Sequence, residues 1–335
     1  MTKTITFDEL KPGDIMLFSI PEHSWISSVI GFLTHSKVSH TGMVDYNPAY
    51  VLSEIEEGAS RYILDPPGVR TLYIRRLKNE PDTTKVVEIA KKYVDENIPY
   101  TDANLAFIGL YIITSDFIPD SIAGQFIKSI LQIATYEIIK LVNSKFHPDS
   151  EVPPMVCSQF AAKCYDDAVL EYGPEYKIHY NEEVKTVATL LTKIIDQLDE
   201  DEDKTFTIKS HKHKVLQGIS EGIESLEEHC EKLMNHIKGK EDSNKSEKIS
   251  DEVISEVYQY AKWFLRLFDN KTEYEDDDKE QVTASEVKSV LEELFRFQET
   301  FITPEDLLSN TTNLEDMGIL TYTQEELDMH DELKN

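Results

Sequence analysis

The sequence predicts an α+β fold, with strands gathered first and helices after. The first eighty residues are short strand-like runs broken by Pro, Gly and Asn, and from Thr83 onward apolar residues recur at helical spacing. A further observation is the stretch from about 196 to 300, which is charged, free of Pro and helical in pattern, and which predicts a separate helical insertion. With 335 residues the chain has room for two domains, or for one domain carrying a large insertion.

Taken in order, Pro12-Gly13-Asp14 sets a turn, and Ile15 to Ser19 reads as the strand that follows. Trp25, Ile26, Val29, Ile30 and Leu33 are spaced for a short helix. His40 to Tyr46 and Tyr50 to Ile55 read as two strands joined at Asn47-Pro48, and Gly68 to Leu77 continues the β pattern. Thr83 to Asn97 reads as a helix buried on Val86, Val87, Ile89, Ala90, Tyr93 and Val94, and Ile98-Pro99-Tyr100 ends it. Leu105 to Ile118 is the most apolar stretch; at 14 residues it is too short to span a bilayer, so it predicts a buried segment or an apolar wall of a substrate groove. Ile122 to Phe146 reads as a long helix, Pro148, Pro153 and Pro154 mark a loop, and Cys157 to Leu170 reads as the next helix. Within the insertion, helices are expected at Val215 to Ile237, Ile249 to Phe268 and Thr283 to Phe301, separated by polar, charge-rich loops. Thr303 as N-cap and Pro304 at the first helical position start a fresh helix, and the tail after Leu327 is acidic.

The net charge of −29, from 34 Lys and Arg against 63 Asp and Glu, argues against nucleic acid and against electrostatic docking on an anionic membrane, since both need clustered Lys and Arg. Three cysteines, Cys157, Cys164 and Cys230, make neither a disulfide framework nor a Cys-x-x-Cys metal site. A reducing, cytoplasmic setting is expected. Met1 to Leu10 lacks an apolar core, so no signal peptide is expected, and export by a route without a cleaved signal stays open. No cofactor or metal is expected: there is no His-x-x-x-His, and His211-x-His213 sits among lysines.

Two short segments carry the chemistry. Val156-Cys157-Ser158-Gln159 follows two prolines, so Cys157 falls at a helix start, where unpaired N–H groups and the helix dipole favour a thiolate and an N–H can serve an oxyanion. The competing reading is a small buried hydrophobe, which is how Cys164, two turns deeper, is read. His40 enters a strand between small neighbours, Ser39 and Thr41-Gly42, and is a candidate base; His35 lies nearby in a loop. Glu54, on the following strand, is a candidate for orienting the imidazole, with Glu56 and Glu57 as competitors. If the two strands pair, the even spacing from His40 to Glu54 is compatible with one face.

In that order the residues resemble the circularly permuted NlpC/P60 group of papain-like proteins, in its YiiX/YebB-like branch. The segments that match are Pro12-Gly13-Asp14-Ile15-Met16-Leu17-Phe18, Ser36-Lys37-Val38-Ser39-His40-Thr41-Gly42-Met43-Val44, Val51 to Glu54, Ile98-Pro99-Tyr100, Val156-Cys157-Ser158-Gln159-Phe160 and Ile302-Thr303-Pro304-Glu305-Asp306-Leu307. Gln159 stands where the family has an acidic residue, and 102–154 and 196–300 depart from its pattern. The resemblance implies a small antiparallel sheet or barrel packed on helices. It divides the chain into a catalytic domain at 1–195 plus 300–322, an acidic helical insertion at 196–299 and a tail at 323–335. It also implies Cys157 as nucleophile, His40 as base, Glu54 as orienting group and Tyr100 near the oxyanion. The expected reaction is acyl transfer or hydrolysis at a peptide, amide or ester bond through an acyl-enzyme. The apolar segments tilt the substrate slightly toward a fatty-acyl group. The alternative function is a non-catalytic scaffold acting through the insertion, a surface for a protein partner.

Overall fold

Apolar runs become elements where turn and cap residues stop them, in a computed structural model that describes residues 3–22, 24–55, 58–64, 70–79, 81–96, 103–115, 119–143, 155–181, 189–201, 203–208, 226–239, 248–268 and 281–323. In chain order these are β1 (Thr4–Thr6), β2 (Ile15–Ser19), α1 (Trp25–Leu33), β3 (Val38–Val44), β4 (Tyr50–Ile55), β5 (Gly58–Ile63), β6 (Leu72–Leu77) and α2 (Thr84–Asp95). They continue as α3 (Ala103–Thr114), α4 (Ser121–Asn143), α5 (Cys157–Tyr172), α6 (Leu190–Asp199), β7 (Thr205–Thr207), α7 (Leu226–Lys238) and α8 (Asp251–Phe268). The last are β8 (Gln281–Thr283), α9 (Ala284–Thr300), α10 (Pro304–Ser309) and β9 (Leu314–Thr321). The caps behave as their chemistry dictates: the Ser24 hydroxyl accepts from the Ser27 N–H before α1, and Thr303 with Asp306 forms a reciprocal capping box at α10.

Two compact units result, one of 1–101, 154–184 and 302–335, the other of 102–153 and 185–301. The second unit is wider than the insertion expected at 196–299. Its extra members, α3 and α4, pack on α6, α7 and α8, so their apolar sides complete the core of the helical unit. Ile108, Leu110, Ile112 and Ile113 of α3 and Ile127, Ile130, Leu131 and Ile138 of α4 are buried. These buried side chains serve the core of the helical unit, the plainer of the two readings of the apolar segments. Gly109 lets α3 approach α8, since a Cβ there would lie 2.4 Å from the Tyr260 ring. Gln132 donates to the buried Glu256 at 2.7 Å, and the short β7–β8 pair closes this unit at Phe206 opposite Val282. The helix expected at Val215 to Ile237 is observed as Leu226–Lys238, and 209–225 and the acidic tail from 324 lie outside the described residues.

The first unit is built on a seven-stranded sheet in the order β1-β9-β6-β2-β3-β4-β5. It is larger than the small antiparallel sheet expected, and it is mixed, because β9 returns to lie between β6 and β1 and runs parallel to β1. Neither β1, β5 nor β9 was among the expected strands. One face carries an apolar cluster of Met16, Phe18, Val44, Val51, Leu72 and Ile74, with Phe7, Leu10 and Leu320 against it. Helix α5 packs against α2, β3 and β4 and buries Phe160, Ala161, Ala162, Cys164, Tyr165 and Ala168. Three alanines on that side let the helix approach closely.

Buried polar pairs fix the sheet edges. Arg76 donates Nε to Asp14 Oδ1 at 2.7 Å and Nη2 to Asp14 Oδ2 at 2.6 Å, tying β6 to the Pro12-Gly13-Asp14 turn. Asp45, after β3, accepts from Arg61 of β5 at 2.5 Å and pairs with Lys91 of α2 at 2.8 Å. Burial works against the Asp45 charge, and Lys91 and Arg61 together overcome it and hold its carboxyl below the ordinary range.

Gly42 has a packing reason to be Gly: a Cβ would sit 2.3 Å from Val51 Cγ1, which is fully buried. Gly42→Ala should cost about 1–3 kcal/mol in urea unfolding, with the penalty relieved when combined with Val51→Ala. A loss within about 0.5 kcal/mol of zero for the single variant would contradict this packing.

Candidate functional site

Cys157 is the first residue of α5, after two extended residues that end the preceding segment. The N-cap position is Val156, whose side chain has no acceptor to offer, and the first helical bond runs from the Phe160 N–H to the Val156 carbonyl at 2.8 Å. The first-turn N–H groups are thus not capped by a Val156 side chain, and the positive end of the helix dipole lies at the thiol. Cys157 is half-buried, whereas Cys164 and Cys230 are 0% and 1% exposed. Burial pushes the Cys230 thiol up to about 12.

The start of α5 is fixed by its own side chains. Ser158 is fully buried and donates its hydroxyl to the Ile302 carbonyl at 2.7 Å, joining α5 to the segment that leads into α10. Two turns on, Tyr165 donates to the Gly13 carbonyl at 2.7 Å. Gly13 holds φ +86°, and a Cβ there would meet Thr83 Cβ at 2.7 Å, so the turn that accepts this bond requires Gly.

His40 sits in β3 opposite Phe18, and the two rings lie 5.1 Å apart. The start of the strand is held by two sets of contacts. Ser36 accepts from the Val38 N–H at 3.0 Å and donates to Glu305 of α10 at 2.7 Å. Arg70 donates to Ser39 Oγ at 3.1 Å and to the Ser19 carbonyl at 2.7 Å. Among the described residues, the hydrogen bonds of the ring run from Nε2 to Tyr62 Oη at 3.2 Å and Ser53 Oγ at 3.3 Å, and none joins it to Cys157. Burial, with the Arg70 guanidinium nearby, holds the imidazole down to about 3. The ring is therefore neutral at ordinary pH.

Glu54 lies in β4 with its backbone opposite Ala59 of β5, and its side chain, like the whole of Tyr100, lies outside the described residues. Among the described side chains of β4, that of the preceding residue, Ser53, reaches the ring. Tyr62, Ser53 and Arg70 had no place among the expected site residues. The signal that would have found Ser53 and Tyr62 is the β4–β5 register, with Ser53 opposite Ser60 and Val51 opposite Tyr62, which puts the two hydroxyls on one face; Arg70, before β6, lies outside that hairpin. Among the described residues no three His, Cys, Asp or Glu side chains gather as a metal site, and no helix is long and apolar enough to cross a membrane. The chain matches no model of a known protein family and no curated protein.

The depressed His40 has a measurable consequence. Between the ordinary imidazole value of 6.5 and about 3, the unfolded chain binds a proton that the folded chain refuses. Folding stability should therefore fall as pH falls through that window. His40→Asn should remove a slope of at most about 1 kcal/mol per pH unit, since the ring keeps partial solvent contact. Urea unfolding at several pH values checks it, and parallel curves for the two chains would contradict it.

Proposed function

We propose that the chain is a cysteine-dependent acyl hydrolase or acyltransferase in which Cys157 attacks and His40 moves the proton. The observation that carries the reading is a half-buried thiol at the first position of a helix that packs on the very strand bearing a neutral imidazole. The resemblance to permuted NlpC/P60 papain-like proteins points the same way, through the order of His40, Glu54 and Cys157.

In this reading the Cys157 thiol gives its proton to His40 as sulfur bonds to the carbonyl carbon of an amide, peptide or ester. The oxyanion gathers at the helix N–H groups. Collapse expels the amine or alcohol, which leaves with the proton from His40, and the acyl group stays on sulfur as a thioester. Water, deprotonated by His40, then releases the acid and restores the thiol; an alcohol or amine in place of water gives transfer. An imidazole that resists charging is a weak base by itself, and the thiolate formed beside a helix start supplies the compensating negative charge. Catalytic hydrogen bonds are commonly long or misaligned before substrate arrives, so closure of the Cys157–His40 gap belongs to the Michaelis complex. Tyr100 keeps its proposed place near the oxyanion.

The test is alkylation of Cys157 by a neutral thiol-reactive electrophile, followed by peptide mass analysis. Cys157 outpaces Cys164 and Cys230 by exposure alone, so the decisive comparison is His40→Ala. That variant should label Cys157 at least about tenfold more slowly near neutral pH, the low end of what a positioned base contributes. Labelling at the wild-type rate would remove His40 as its base.

A further inference from the structure

We infer that Ser53 is a positioning residue that fixes the His40 tautomer, keeping the ring proton on Nε2 and the lone pair on Nδ1. A serine hydroxyl has a single proton. Ser53 Oγ lies 2.5 Å from the Thr41 carbonyl oxygen, which can only accept, so the proton of Ser53 is committed there. Ser53 is fully buried, which leaves no solvent to re-aim that hydroxyl. Toward His40 Nε2, at 3.3 Å, Ser53 Oγ can therefore only accept. A lone pair on Nε2 would face a lone pair on Ser53, whereas an Nε2–H makes a bond. Tyr62 Oη, at 3.2 Å from the same nitrogen, then accepts a share of that proton.

The consequence runs along the chain of residues from the backbone outward. The Thr41 carbonyl orients Ser53, Ser53 orients the Nε2–H, and the basic nitrogen is left at Nδ1. This rests on the proposed reading only in making Nδ1 the atom that takes the Cys157 proton; the tautomer is argued from the Ser53 contacts alone. It also assigns to Ser53 the orienting task that the sequence pattern gives to Glu54. Tyr62 is the secondary contact, because its hydroxyl can turn where that of Ser53 cannot.

Long-range ¹H–¹⁵N spectra of the full chain test it, with the His40 ring identified by its loss in His40→Asn. The expected result near neutral pH is a ring with a protonated Nε2 and a bare Nδ1. In Ser53→Ala that preference should weaken and the His40-dependent part of Cys157 alkylation should fall by about tenfold, the worth of one buried hydrogen bond. Ser53→Thr, which keeps the hydroxyl, should restore both. A proton on Nδ1 in the wild-type chain, or an unchanged tautomer in folded Ser53→Ala, would overturn the inference. Failure of the catalytic reading looks different: Cys157 alkylation indifferent to His40, with the Nε2–H spectrum intact.

Discussion

The candidate site depends on how α5 is docked, and a hydrogen bond from a buried phenol does much of that docking. Tyr165 is 1% exposed and donates to the carbonyl of Gly13, a residue whose left-handed backbone makes the turn before β2. Burial drives the Tyr165 phenol far up, so it stays a donor at any physiological pH. Ser158 repeats the device at the start of the helix, through the Ile302 carbonyl. Between these two anchors the helix has little freedom to slide, because each left unpaired in the core costs on the order of 1–3 kcal/mol. Cys157 is one residue before the first anchor. Its position is thus set by packing and by backbone carbonyls of two distant segments.

The sheet is held by a complementary logic. Its apolar face supplies the non-directional driving force. The directional constraints come from two buried carboxylates, Asp14 under Arg76 and Asp45 between Arg61 and Lys91. Each joins elements remote in sequence, β6 to the first turn in one case and β5 and α2 to the end of β3 in the other. Such pairs weigh little in net stability but heavily against alternative registers, because either partner alone would be a buried charge. Register matters here, since a one-residue slip of β4 would carry Ser53 to the other face and away from His40.

Much of this was legible along the chain. Local signals marked the strands β2, β3 and β4, the helices α1, α2 and α5, and the Thr303-Pro304 start, because caps, turn residues and periodicity act within a few residues. Placement was less legible. β9 carries Glu315 and Asp316 and pairs with strands more than two hundred residues earlier, which no local pattern announces. α3 and α4 read as apolar and buried, yet nothing in their periodicity says which unit they bury against. The same limit applies to the site. Cys157 and His40 were visible from residue type and local context. Ser53, Tyr62 and Arg70 became visible only once the hairpin register and the approach of the segment before β6 were known.

The proposed function stands on an acyl group passing through Cys157. The decisive measurement exposes the full chain to a small activated ester and reads intact and peptide masses over time. The expected result is a single acyl group on Cys157 that forms and then disappears, no such adduct in Cys157→Ser, and slow turnover of the adduct in His40→Ala. Acylation spread equally over Cys157, Cys164 and Cys230, or an adduct elsewhere that survives Cys157→Ser, would contradict it.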